Sequence, residues 1–261
     1  MRILFIGDII AKPGRRMVER HLPRLQQEYA VDFTIANGEN AAGGLGLNRA
    51  AFRELHELGV DAFTLGNHTW GNKELAQFID KEKRILRPGN LSAKPLPGAW
   101  YQYYQVGKAE LLVANLIGRI YMKPAECPFA ALDNLLQEAR DRTLFIFLDF
   151  HAEATSEKMA MGWYADGRIS ALAGTHTHIQ TNDARILPRG TGYVTDAGMT
   201  GPRDSVLGVD KDIIIDKFTR QIPKHFEPAK GDLQFNGVLF DLADTGRCQG
   251  LELINFWEQA I

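Results

Sequence analysis

From its first residues the chain alternates short β-branched or aromatic runs with longer amphipathic ones, the pattern that most narrows its choice of fold. "RILFIG" is strand-like. It leads through Pro13 and Gly14 into "RRMVERHLPRLQQEYA", where Met17, Leu22 and Leu25 share a helical face and Pro23 marks a kink. "DFTIA" follows as a second strand and ends at "NGEN". "NRAAFRELHELG" is a helix with Asn48 as its cap and Gly59 as its stop, and "DAFTLG" runs as a third strand into "NHTW". Strand, helix, strand, helix, strand implies parallel βαβ units with right-handed crossovers, hence an α/β fold.

Further strands are expected at "ELLVANLIG", "TLFIFLDF", "RISALAG" and "GYVTDAG", with a helix at "PFAALDNLLQEARD". From about residue 206 the pattern is β-rich, and "GVLFDLAD" and "CQGLELINF" form a closing hairpin around "TGR". No linker or repeat divides the 261 residues, so one domain over 1–261 is expected.

Each strand stops at a polar cluster. The stops are Gly7-Asp8, Gly38-Glu39-Asn40, Gly66-Asn67-His68, His151, and Gly174-Thr175-His176-Thr177-His178. In open α/β sheets ligands bind outside the carboxyl ends of the strands, so these distant residues can share one rim. On an extended segment His176 and His178 would face one point while Thr175 and Thr177 face away. Glu39 and Asn40 can both reach that point if Gly38 turns the chain.

Asp8, Glu39, Asn40, Asn67, His151, His176 and His178 offer only oxygen and imidazole nitrogen. That set suits transition metals such as manganese, iron, cobalt, nickel or zinc, and it is too large for one tetrahedral ion. Two ions are therefore expected, divalent or trivalent, with iron or manganese ahead of the others and Glu39 as the bridging carboxylate. Two divalent ions outweigh the charges of Asp8 and Glu39, so the site would attract a phosphoester anion. His68 stands beside a proposed ligand and is free to act on substrate as a proton donor.

Composition excludes several classes. A formal net charge of −2 gives no cationic track for long nucleic acid. No apolar run reaches the length of a membrane span, and "MRILFIGDII" reads as a strand. Cys127 and Cys248 are the only cysteines and form no CxxC pair, which suits a reducing cytoplasm. His21, His56 and His225 lie outside any partner pattern. "GGLG" at 43–46 lacks a P-loop ending and reads as a flexible loop, while 195–205 reads either as a pocket wall or a plain turn. Asp149 and Glu153 could orient His151 or serve as strand-end salt-bridge partners.

These motifs resemble the calcineurin-like metallophosphoesterases, whose order is Asp-x-His, Gly-Asp, Gly-Asn-His plus an acid, a lone His, and Gly-His-x-His. Ile10, Glu39 and Thr69 depart from that pattern. With "GDI", "NGEN", "GNHTW", "DFHAEATSEK", "GTHTHIQT" and "TDAGMTGP", the chain is similar to the YmdB-like branch, which shares the departures and in which Asn40 stands in for the missing histidine. The resemblance implies a four-layer α/β/β/α sandwich of two facing mixed sheets, a dinuclear site, homo-oligomers (dimer or tetramer) and phosphodiesterase activity on cyclic nucleotides or similar small phosphodiesters. It also implies one ion on Asp8, Glu39, Asn40 and His178, and another on Glu39, Asn67, His151 and His176. Attack on phosphorus would be in line, by a hydroxide bridging the ions, with His68 as general acid. The competing expectation is a metal-containing regulatory or assembly protein that binds a nucleotide without turning it over.

Overall fold

The computed structural model describes residues 1–259, so the last two positions of the expected 1–261 domain lie outside the described residues. One sheet contains β1 (Arg2–Ile6), β2 (Asp8–Ile9), β3 (Phe33–Asn37), β4 (Ala62–Thr64), β5 (Ile85–Leu86), β12 (Met199–Pro202), β13 (Leu233–Leu242) and β14 (Cys248–Glu258). Its order is β2-β12-β13-β1-β3-β4-β5, with β14 also paired to β13. The other contains β6 (Tyr101–Val106), β7 (Ala109–Ile117), β8 (Phe145–His151), β9 (Ala171–Thr175), β10 (Arg185–Ile186) and β11 (Gly192–Val194), in the order β10-β11-β9-β8-β7-β6. Both are mixed. β1, β3, β4 and β5 run parallel while β13 is antiparallel to β1; β7, β8, β9 and β11 run parallel while β6 and β10 are antiparallel edges.

Alternation along β1 divides its side chains between two cores. Ile3 and Phe5 face inward with Phe33, Ile35, Val113, Phe147 and Ala173, which joins the two sheets. Phe147 is the hinge of that layer, with ring centroids 5.1 Å from Phe5 and 5.8 Å from Phe240, so Phe147→Ala would cost about 3–5 kcal/mol. Leu4 and Ile6 face outward onto α1 (Ala11–Glu28) and α2 (Arg49–Glu57). The second sheet packs its outer face on α3 (Pro128–Ala139) and α4 (Thr155–Ala165). The layers are therefore helix, sheet, sheet, helix.

α1 starts before Pro13, earlier than the prolyl-glycyl pair suggested, because Pro13 falls in the first turn, where backbone N–H groups have no helical acceptor. Asn48 caps α2 as expected, its side chain accepting from the Ala51 N–H at 2.9 Å. The segment after residue 206 is not simply β-rich: α5 (Lys211–Arg220) intervenes, capped by Asp210, whose Oδ1 accepts from the N–H groups of Asp212 and Ile213. Its buried face is small, with Ile214 alone buried, so the apolar periodicity was weak. The hairpin of β13 and β14 is antiparallel as expected. Among the described residues, no helix is long and apolar enough to cross a membrane.

Candidate active site

The carboxyl ends of β1, β3, β4, β8 and β9 meet on one rim, where the two sheets come together. Gly7 lets β1 end against β12: a Cβ there would lie 2.1 Å from the Gly198 carbonyl oxygen, and the next N–H, of Asp8, donates to that oxygen at 3.0 Å. Asp8 is thereby fully buried at the rim. Gly38 is not in the left-handed region, so the turn after β3 has a different cause from the one expected. Asn37 Oδ1 accepts from the Glu39 N–H at 3.1 Å, and the Gly38 carbonyl accepts from the Ala41 N–H at 3.1 Å. Glu39 and Asn40 emerge from this turn almost completely buried.

His176 and His178 do not lie on an extended segment. β9 ends at Thr175, and the two histidines have φ of 97° and 65°. Residues with side chains occupy that region at a cost of about 1–3 kcal/mol, so the surroundings must hold them there. They do. Thr177, between them, donates through its N–H (3.1 Å) and hydroxyl (2.7 Å) to Asp196 Oδ2, and the His176 N–H donates to Asp8 Oδ2 at 3.2 Å. Convergence of the two rings comes from this pinned loop, not from strand alternation.

Each imidazole is anchored through one nitrogen and offers the other to the cluster. Thr175 Oγ1 donates to Asp149 Oδ1 at 2.7 Å, so its oxygen accepts from His151 Nδ1 at 2.9 Å and leaves Nε2 facing inward. His178 Nδ1 donates to the Leu207 carbonyl at 3.0 Å, and its Nε2 lies 3.6 Å from Asp8 Oδ1. His176 Nε2 pairs with Glu153 Oε2 at 2.9 Å, and its Nδ1 lies 3.0 Å from His151 Nε2. Asp149 thus orients His151 as expected, though through Thr175, whereas Glu153 pairs with His176 and not with His151.

The inward atoms converge. His151 Nε2 lies 3.2 Å from Glu39 Oε1 and 2.9 Å from Asn67 Oδ1. Donor atoms of Glu39, His151 and His176 all fall within 4.8 Å of one another. Asn40 Nδ2 is 3.3 Å from His178 Nε2 and 3.4 Å from Glu39 Oε1, while its Oδ1 accepts from His68 Nδ1 at 2.7 Å. The His68 N–H also donates to Glu39 Oε2 at 2.8 Å. All eight sequence-predicted residues therefore belong to one constellation.

Electrostatics show what this arrangement attracts. Burial alone would push the Asp8 carboxyl up, but His178, His151 and the His176 N–H outweigh it and hold it well below the usual carboxylate range. Glu39 is likewise lowered despite burial, by His151 and His68 and against the repulsion of Asp8. Burial opposes charging of His178, yet the charge of the Asp8 carboxylate and the hydrogen bond to the Leu207 carbonyl raise it to about 9. His151 is raised against its burial by Glu39 and Asp8. His176 is lowered to about 4 by burial and by the neighbouring His151. Two buried carboxylates thus draw protons onto neighbouring imidazoles, the demand a cation would satisfy instead. Asp8 Oδ1 is fully buried with no hydrogen-bond donor, which leaves an acceptor aimed into the site. This oxygen and nitrogen donor set fits transition-metal ions.

Beside the cluster opens a cavity of about 500 Å3. Asn40, His68 and His178 line it on one side, and Gly43, Gly44 and Leu45 of the glycine loop form part of its rim. Ile10, at the position where the superfamily pattern has histidine, supplies an apolar wall. Of 195–205 itself, residues 199–202 form β12, and it is the following residues Leu207 to Val209 that line the cavity. Residues 224–228 also line it; His225 and Phe226 carried no spacing signal, and only the fold brings them here.

The sequence matches the model of the family described as "YmdB-like protein" over residues 4–254. It is 50% identical over 244 residues, 94% of this chain and 92% of the relative, to a 2',3'-cyclic-nucleotide 2'-phosphodiesterase of Bacillus subtilis (strain 168). The crystal structure of a novel phosphatase from Mycoplasma pneumoniae superposes with a TM-score of 0.94 at 35% identity, covering 99% of this chain and 94% of that one. A 5'-nucleotidase precursor from Thermus thermophilus matches at a TM-score of 0.62 and 14% identity, covering 99% of this chain and 54% of that one, a likeness of fold alone.

Proposed function

The chain belongs to the YmdB-like family, and from that premise we propose that it is a metal-dependent phosphoric diester hydrolase acting on 2',3'-cyclic nucleotides or similar small phosphodiesters. The observation that carries the reading is the donor cluster with the His68 ring at its edge, in the wall of a cavity of about 500 Å3. Asp8, Glu39, Asn40 and His178 would hold one ion, and Glu39, Asn67, His151 and His176 another. Bound there, iron or manganese would supply Lewis acidity toward the phosphoryl oxygens and a water nucleophile ionised near neutral pH.

The protein's own part is orientation and proton transfer. Thr175, Leu207 and Glu153 fix which nitrogen of each histidine faces the site. Asn40 Oδ1 accepts from His68 Nδ1 and has a second lone pair that could face an ion. That bond keeps one proton on Nδ1, so the doubly protonated ring carries its other proton on Nε2, the nitrogen left for substrate. As the bond from phosphorus to the departing ribose oxygen breaks, that oxygen takes the Nε2 proton.

The test is anaerobic purification with elemental analysis, then assays of 2',3'- and 3',5'-cyclic mononucleotides and cyclic dinucleotides with the protein and its H68A variant. Metal content with no His68-dependent turnover would favour the regulatory reading. A dimer or tetramer belongs to the same proposal, and analytical ultracentrifugation measures it.

A further inference from the structure

Phosphodiester hydrolysis needs polar and charged groups around phosphorus, yet much of the cavity lining has a different character. Beside Asn40, His68 and His178, the apolar Ile10, Leu45, Leu207, Phe226 and Pro228 line it. A charged phosphate gains nothing from such a wall. A flat heterocycle joined to that phosphate through a ribose does.

Phe226 is suited to receive one. It is 44% exposed, and the Lys217 ammonium lies 4.4 Å from its ring centroid. Lys217 is not among the cavity's walls, so it braces the ring from outside and leaves the cavity side open. The glycine loop adjoins this wall: Gly43 and Gly44 have φ of 72° and 93°, a Cβ on Gly43 would meet nothing within 4 Å, and one on Gly44 would lie 4.0 Å from Pro228 Cγ. The volume of about 500 Å3 falls within the roughly 300–1,000 Å3 usual for small-molecule sites. Lys224 also lines the cavity, but its ammonium is paired with Asp216 at 2.6 Å and so adds little to a cationic track for a longer strand.

We infer that this wall is the nucleobase subsite, with Phe226 as the surface on which the base of a single cyclic nucleotide stacks. The inference rests on the hydrolase reading above and adds where the base sits. Stacking tolerates any base, so the subsite selects for the presence of a base more than for its identity.

The test compares adenosine 2',3'-cyclic phosphate with base-free ribose 2',3'-cyclic phosphate, in manganese-loaded protein and its F226A and F226W variants. The ratio of kcat/KM for the nucleotide to kcat/KM for the base-free ester is expected to fall about fivefold or more in F226A, and to recover in F226W. An unchanged ratio in F226A overturns the subsite. Equilibrium dialysis of adenosine 2',3'-cyclic phosphate against manganese-loaded H68A and H68A/F226A reads the same contact without turnover. Binding at least about fivefold weaker in the double variant supports the subsite. Equal binding, or none to H68A, overturns it. Wild-type protein that turns over neither ester while Phe226-dependent binding persists would sink the hydrolase reading alone.

Discussion

Lys158 Nζ lies 2.5 Å from Asp196 Oδ2, and both side chains are fully buried. The pair joins α4 to the loop after β11, and through Asp196 it reaches both halves of the site. Oδ2 holds Thr177 between the two rim histidines, while Oδ1 accepts from the Gly198 N–H at 2.8 Å. The carbonyl of Gly198 in turn fixes the Asp8 backbone. Lys158→Met would leave a buried carboxylate without its cation and should destabilise the fold by about 3–5 kcal/mol. Urea denaturation measures it. The K158M/D196N pair, which removes both charges, should recover much of that loss; equal midpoints for wild type and K158M would contradict the assignment.

His68→Ala should lower turnover of cyclic nucleotides about 10²–10⁴-fold, the range of a lost general acid. Metal content should stay that of the wild type, because the ring sits at the edge of the cluster. Elemental analysis and steady-state rates on the same preparation separate these two effects.

Asp8→Ala removes a buried carboxylate from one proposed ion position and leaves Glu39, His151 and His176 together. The expected result is about half of the wild-type metal content. Unchanged stoichiometry would show that Asp8 holds no ion.

Gly66→Ala should weaken the site without replacing any donor residue. The new methyl would lie 2.2 Å from His151 Nε2, closer than any real contact, so the ring must swing away from Glu39 and Asn67. Overpacking of this kind costs about 1–3 kcal/mol. Metal affinity, titrated with manganese, should fall while the protein remains folded by circular dichroism.

Ion uptake should release protons. In metal-free protein His178 titrates at about 9, raised by Asp8 against the effect of burial, so near pH 7.5 a cation must displace its proton. Calorimetry in buffers of different ionisation enthalpy counts the protons, and none released would contradict the charge state. The linked stability follows in sign. A histidine raised from 6.5 to about 9 on folding stabilises fully below pH 6.5. That contribution, about 3 kcal/mol at most, is lost as pH rises through 9. Melting of the metal-free protein across pH 6–10 should show the decline.

Much of this was legible because the rim is built from strand ends, and a strand end shows in sequence as an apolar run halted by glycine and a polar residue. Asp8, Glu39, Asn67 and His176 were all visible that way, His151 closed its apolar run without a glycine, and oxygen and nitrogen donors without thiolates implied the metal class. Backbone geometry was less legible. Two histidines one residue apart suggested an extended segment, whereas a carboxylate twenty positions downstream of His176 holds them in left-handed conformations. Gly38 was credited with a turn that the Asn37 side chain makes. Lys158, His225 and Phe226 owe their positions to packing between remote segments, which leaves no local spacing to read. α5 was hidden for a related reason: a helix with one buried residue has almost no apolar stripe.

The rim draws Asp8, Glu39 and Asn67 from one sheet and His151 and His176 from the other. No half of the sandwich owns a complete set of donors. A cation seated there would rivet the layers, tightening its grip only once they have stacked in the correct mutual alignment. Assembly of the molecule and assembly of its reactive centre would then be the same event, and a sliding error of a single residue between the sheets would abolish both.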